Sequence, residues 1–322
     1  MKLMWAKQKA FTIVELLIVI VVIAILAAVI IVAYTGIQGR ANVASLQSML
    51  SQASVSLESE RAQSTNEAYP SSLPQNIPTG DATSYYAAFT ALDTTSAYCL
   101  TRTSRGVSYF ITSANTTPTP GSCEGMIGWW PLNGNTDDDS GYAYNGTANN
   151  LTAATGQNGE ARGAYSFNGG DSYVNLANAS TLPSGLADRS MCSWGNTDTV
   201  NNGHWMMAYG SPNGKQAMFI GQVNNNLYGG GYSADAVFGG YWTTGAWRHV
   251  CLTYDGTIAR LYADGQERAT RTDAWNLVKS VAYIGRQVNG YEWWAGSIDD
   301  VRLYNRVLPP SEIQALYAAG AQ

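Results

Sequence analysis

The chain has 322 residues, about two domains at roughly 150 residues each. Its 18 Lys+Arg against 23 Asp+Glu leave a net charge of −5, which argues against a nucleic-acid partner. Only 13% of residues are charged, while 33 Gly, 20 Tyr and 10 Trp suit an extracellular β-protein better than a cytoplasmic enzyme.

Residues 11–33 are apolar apart from Thr12 and Glu15. As a helix this run is about 35 Å long, enough to cross a bilayer. Lys2, Lys7 and Lys9 precede it and only Arg40 follows closely, so the positive-inside rule leaves the first ten residues in the cytoplasm and the bulk outside. The run is too long for the apolar region of a secretory signal peptide. Glu15 needs a reason. Thr12 and Glu15 have capping-box spacing, so the carboxylate can serve backbone N–H groups and the helix dipole. Inside hydrocarbon it costs on the order of 3 kcal/mol, and such groups are usually paired. A free amine on Phe11, made by cleavage after Ala10, is a partner at the same depth.

The basic leader, the Ala10–Phe11 junction and the run Thr-Ile-Val-Glu-Leu-Leu-Ile-Val-Ile together resemble the N-terminus of type IV pilins and pseudopilins. The resemblance implies that residues 1–10 are a leader removed by a prepilin peptidase/methyltransferase, which N-methylates Phe11. It also implies that Glu15 meets the Phe11 amine of a neighbouring pilin subunit during filament assembly. The protein would sit once through the inner (cytoplasmic) membrane, then in an extracellular pilus. Ala10 stands where the family usually has Gly, which implies slower processing. Ala24 and Val32 stand near the places where many pilins carry Gly and Pro, so no kink is expected there. Gly36 and Gly39 are the soft points.

The pilin helix is expected over residues 11–64. Val43, Leu46, Leu50, Ala53 and Leu57 form one apolar stripe at helical spacing that needs a cover. Tyr69-Pro70 and Pro74 end the helix and begin the cover. Residues 65–124 read as a small β head and linker. AYCLTR and VSYFITS are its strands, joined by Ser104-Arg105-Gly106, and TTPTPGSC is the linker. Cys99 and Cys123 resemble the disulfide loop that pilins often carry; free thiols are the alternative. Such a bridge is worth about 3 kcal/mol in the chain-entropy model.

From residue 125 to residue 322, short alternating runs are separated by Gly, Asn and Asp. Asp255-Gly256 and Asp264-Gly265 each sit between β-type runs, the strongest short hairpin signal. The pattern reads as an antiparallel β-sandwich. In the tail, Ser311 and Gln314 have capping-box spacing and Gly320 is a stop signal, predicting one closing helix. Gly128-Trp-Trp-Pro-Leu132, Ala164-Tyr-Ser-Phe-Asn-Gly169, Trp247-Arg-His-Val-Cys-Leu-Thr-Tyr-Asp-Gly256 and Gly296-Ser-Ile-Asp-Asp-Val-Arg-Leu-Tyr-Asn-Arg306 resemble the concanavalin A-like or laminin G-like jelly roll. The fold class is therefore α+β: a long N-terminal helix with a small β head, then a jelly-roll sandwich.

No catalysis is expected. Glycan hydrolases on this fold need two facing carboxylates. The usual Glu-x-Asp-x-Glu strand pattern is missing, and neither His204 nor His249 has a nucleophile at motif spacing. A structural Ca2+ shared by Asp139 and Asp299 is one reading of the early and late Asp runs; a solvated turn and a hydrogen-bonded loop are the other. For a surface glycan or protein ligand, the favoured residues are Asn225, Asn226, Tyr228, Tyr232 and Trp242 in and after the Asn-Asn-Asn-Leu-Tyr-Gly-Gly-Gly-Tyr stretch. Asn224, Trp205, Tyr241, Trp275 and Trp293 are further candidates, each alternatively core or loop packing. Trp129, Trp194, Trp247 and Trp294 are assigned to the core, and Cys192 and Cys251 to a bridge between adjacent strands. These features describe a minor or adhesive pilus subunit carrying a lectin-like domain. A pseudopilin of a secretion machine, an uncleaved membrane-anchored lectin and a stalked glycan hydrolase are the alternatives.

Overall fold

The fold begins with one helix, α1 (Ile13–Gln63), which runs unbroken through Gly36 and Gly39 in the computed structural model. The structure describes residues 13–78, 80–176 and 179–321; the leader, the Ala10–Phe11 junction and Thr12 lie outside them. The apolar first half of α1 has its large side chains exposed from Ile13 to Ile31, as a helix facing lipid or other helices would. The second half changes character. Leu46, Leu50, Ala53 and Leu57 are buried, and Val43 at the foot of the stripe is half-buried.

The cover is a four-stranded antiparallel sheet in the order β1 (Thr83–Thr90), β2 (Ser96–Ser104), β3 (Val107–Thr112), β4 (Thr119–Pro120). β2 and β3 match the expected strands, and the turn between them places Arg105 and Gly106 at positive φ. β1 has no counterpart in the sequence reading. Tyr98, Leu100 and Ile111 from the sheet, with Tyr69 and Ile77 from the loop after α1, close over the helix stripe. Cys99 and Cys123 are disulfide-bonded.

The second half is a two-sheet sandwich. Its strands in chain order are β5 (Met126–Trp130), β6 (Gly146–Asn149), β7 (Thr152–Ala154), β8 (Ala164–Asn168), β9 (Tyr173–Leu176), β10 (Arg189–Thr197), β11 (Gly203–Gly210), β12 (Ala217–Val223), β13 (Asn226–Gly230) and β14 (Asp235–Phe238). They continue with β15 (Trp247–Tyr254), β16 (Ile258–Ala263), β17 (Gln266–Thr272), β18 (Val281–Ile284) and β19 (Ala295–Tyr304), closed by α2 (Pro310–Gly320). One sheet has the order β17-β16-β15-β10-β19-β8-β7, with β5 also on β19; the other is β14-β13-β12-β11-β18-β9-β6. All neighbours are antiparallel. Alternation along each strand sends Met207, Tyr209, Met218, Ile220 and Leu227 inward against Met191, Val250, Leu252, Leu261 and Ile298. The Asp264-Gly265 turn joins β16 to β17 with both residues at positive φ, as a two-residue hairpin requires. Cys192 and Cys251 are register partners on β10 and β15 and are bonded.

Three expectations are corrected. The Thr/Pro segment is not a loose linker: Thr119 and Pro120 pair with β3, and Cys123 is tied to β2. Head and sandwich share one apolar cluster, in which Phe110 and Cys99 join Trp129, Tyr304 and Leu316. The capping box does not form, because α2 opens two residues earlier, on Pro310 with Pro309 at the N-cap, leaving Ser311 inside the first turn with no side-chain cap. Trp247 is only half-buried at the start of its strand, whereas Trp129, Trp194 and Trp294 are in the core.

Candidate ligand-binding face

The seven-stranded sheet turns a second aromatic layer away from the main core. Period-2 alternation puts Ala217 and Phe219 of β12 and Tyr228 of β13 on this outer face, and a register shift between Trp205 and Met207 lets both Trp205 and Ala208 of β11 join them. Trp205 meets Phe219 edge to face at 4.4 Å between centroids, and Tyr228 and Tyr232 flank the pair at 6.4 and 6.3 Å. Residues 285–294 fold over one end of the layer. Val288 packs on it, and the Trp205 indole N–H donates to Glu292 at 3.1 Å. His204 ties this segment to a second loop: Nδ1 lies 2.6 Å from the Trp293 carbonyl oxygen and Nε2 2.6 Å from that of Asn201.

The favoured asparagines stand at the same end. Asn224 and Asn225 are exposed, and the Asn224 N–H donates to Asn202 O at 2.8 Å. Asn225 offers its carbonyl to the Trp242 N–H at 2.9 Å, and the Asn226 side-chain oxygen accepts from the Gly240 N–H at 3.1 Å. Tyr228 and Tyr232 are half-buried with part of each ring at the surface. Trp242 is not available to a ligand. The chain after Gly240 turns inward and its ring packs against Trp294 in the main core, centroids 5.3 Å apart. Trp205, Tyr241 and Trp275 are buried as well, so each is a packing residue. Tyr291 was not foreseen: it is 67% exposed, edge to face with half-buried Trp293 at 6.1 Å. Its only signal in the sequence is a turn, Asn289-Gly290, that lifts the next residue to the surface.

The two aspartates proposed for calcium have separate partners. Asp139 accepts from the Asn115 amide at 2.7 Å, and burial pushes its pKa up to about 6. Asp299 accepts from the Gln157 N–H at 2.9 Å, and burial pushes its pKa up to about 8. They line different cavities, of about 570 and 420 Å³. Asp138, the middle residue of the early Asp137-Asp138-Asp139 run, is buried. It accepts from the N–H groups of Trp129, Ser140 and Tyr144 and from the Ser140 hydroxyl, all within 3.0 Å, and so shapes the loop after β5. Among the described residues, three metal-ligating atoms converge only at Cys192, His249 and Cys251, and both sulfurs there are consumed by the disulfide.

Comparison with known proteins fits both halves. Residues 5–31 match the family of the prokaryotic N-terminal methylation motif. Residues 168–314 match the concanavalin A-like lectin/glucanases superfamily, as a laminin G-type domain. The chain joins a pilin-type N-terminus to a lectin-like sandwich. Among solved structures, it is similar to domain 4 of an extracellular arabinanase from Geobacillus stearothermophilus, solved with arabinotriose, at 21% identity and a TM-score of 0.47 over 60% of this chain and 98% of that one. It is also similar to a Trypanosoma rangeli sialidase, at 16% identity and a TM-score of 0.48 over 75% of this chain and 45% of that one. A third is the botulinum neurotoxin serotype D binding domain, at 18% identity and a TM-score of 0.45 over 61% of this chain and 51% of that one. The chain spans about half the length of the sialidase and toxin chains.

Proposed function

We propose that this protein is a type IV pilus subunit, of the minor or adhesive kind, that displays its lectin-like sandwich to bind surface glycans. The observation that carries the reading is the continuity of α1. A methylation-motif segment with exposed apolar side chains runs without a break into a half that is buried under the head. A prepilin peptidase removes residues 1–10, Phe11 becomes the N-methylated terminus, and α1 holds the chain in the inner membrane until it packs with other pilins. Glu15 then pairs with the Phe11 amine of a neighbour, where low dielectric strengthens the attraction.

The sandwich binds rather than cleaves in this reading. Its most buried carboxylates, Asp138 and Asp299, spend their oxygens on backbone N–H groups that shape loops. The shared cluster of head and sandwich supports rigid display, because the module then projects at one angle from the fibre. A glycan panel tests this. Fibres sheared from cells with the chain should bind glycans that fibres from deletion cells do not. Equal binding by both would contradict the adhesive role.

A further inference from the structure

Arg286 follows β18 on the outer side of the seven-stranded sheet. Its guanidinium carbon lies 3.7 Å from the ring centroid of Tyr173 on β9 and 3.8 Å from that of Tyr283 on β18. The two rings meet at 88° with centroids 5.8 Å apart, forming a corner that holds the cation. Aromatic faces attract a cation but accept no in-plane N–H. Among the described residues Arg286 has no carboxylate within ion-pair distance, although seven other cationic side chains do. Its Nε is buried without a hydrogen-bond partner. The nearby acids are engaged elsewhere: Asp171 with the Asn150 and Asn168 amides at 2.6 and 2.7 Å, Glu292 with Trp205.

The surroundings fit a sugar. Exposed Asn175 is the register partner of Tyr283, and Trp293, bridged to the Arg286 backbone, carries the exposed Tyr291 beside it. A guanidinium fork matches a carboxylate in two parallel hydrogen bonds, and tyrosine rings suit the apolar face of a pyranose. One isolated arginine on a chain of net charge −5 suits one carboxylate, not a polyanion. We propose that Arg286, with Tyr173, Tyr283 and Asn175, is a subsite for the carboxylate of an acidic saccharide. The proposal rests on the glycan-binding reading and names its ligand class.

The test uses the full chain in detergent micelles, titrated with methyl galacturonoside and sialyllactose, two probes that each carry a single carboxylate on a different kind of sugar. Their carboxyl-reduced counterparts serve as neutral controls. At least one acidic probe should bind about tenfold or more tighter than its reduced form. Arg286→Gln should erase that difference between acidic and reduced probes. Arg286→Lys should lose most of it, because the fork is gone although the charge remains. Equal affinity for acidic and reduced probes, or an acid preference that survives Arg286→Gln, overturns the subsite. Binding of neutral glycans alone overturns it while leaving the lectin reading intact; no binding to any glycan overturns both. The wild-type comparison decides the matter even if a variant misfolds.

Discussion

Phe110 of the head and Trp129 of the sandwich meet edge to face, ring centroids 5.1 Å apart, and Arg302 lies over both rings. Arg302 also donates to Asp300 at 2.8 Å and to the Pro120 carbonyl at 3.2 Å, while the Trp129 indole N–H donates to Asp300 at 2.8 Å. Nearby, Phe89 of the head stacks on Tyr142 of the sandwich at 4.2 Å. The two modules are therefore one mechanical unit. Wild-type protein should unfold in a single transition by calorimetry. Trp129→Ala should cost about 3–5 kcal/mol and split the melt into two. A single, unshifted transition in that variant would contradict a shared core.

The two faces of α1 should respond oppositely. Leu50 is fully buried against the head, so Leu50→Ala should destabilise it by about 2–5 kcal/mol in urea melts. Val55 is 70% exposed, and Val55→Ala should stay within about 0.5 kcal/mol. A comparable loss at both positions would mean that the described head does not set the buried stripe.

The disulfides close loops of different length. Cys99–Cys123 spans 24 residues and Cys192–Cys251 spans 59. Loop entropy predicts losses of about 3 and about 4 kcal/mol on pairwise replacement by Ala. The 59-residue bridge should be the more costly to remove. The reverse order by chemical denaturation would show that local packing, not chain constraint, dominates.

Burial holds the His249 pKa down to about 4, against an ordinary value of 6.5. Between those values the unfolded chain binds more protons than the folded one. The neutral imidazole thus contributes stability that is complete above pH 6.5 and is lost as pH falls through 4. The stability advantage of wild type over His249→Phe should shrink across that window in urea melts at fixed pH. An advantage that stays constant would mean that the group titrates normally in the fold.

Much of this was legible in the sequence because it is carried by local pattern. The stripe Leu46–Leu50–Ala53–Leu57 and the Asp-Gly hairpins follow from spacing and alternation. What was not legible depends on distant partners. Trp242 stands just after Gly239-Gly240-Tyr241, as a surface aromatic would, yet it is buried because Asn225 captures its backbone N–H and Trp294 receives its ring. β1 lacks a strong turn signal and forms because β2 offers it an edge. Ile284-Gly-Arg286 matches the jelly-roll pattern in sequence, but the two tyrosines around Arg286 lie 110 residues apart and meet only through the β9–β18 pairing.

Glu15 links the anchor to the filament in this account. Glu15→Leu should leave membrane insertion intact and sharply reduce recovery in sheared fibres. Unchanged recovery would remove the carboxylate from assembly.

The most direct measurement is the intact mass and N-terminal sequence of the chain recovered from a sheared surface fraction. The account predicts a chain beginning at N-methylated Phe11. A chain that keeps residues 1–10 and is found only in membranes would contradict it, leaving an anchored lectin that never enters a fibre.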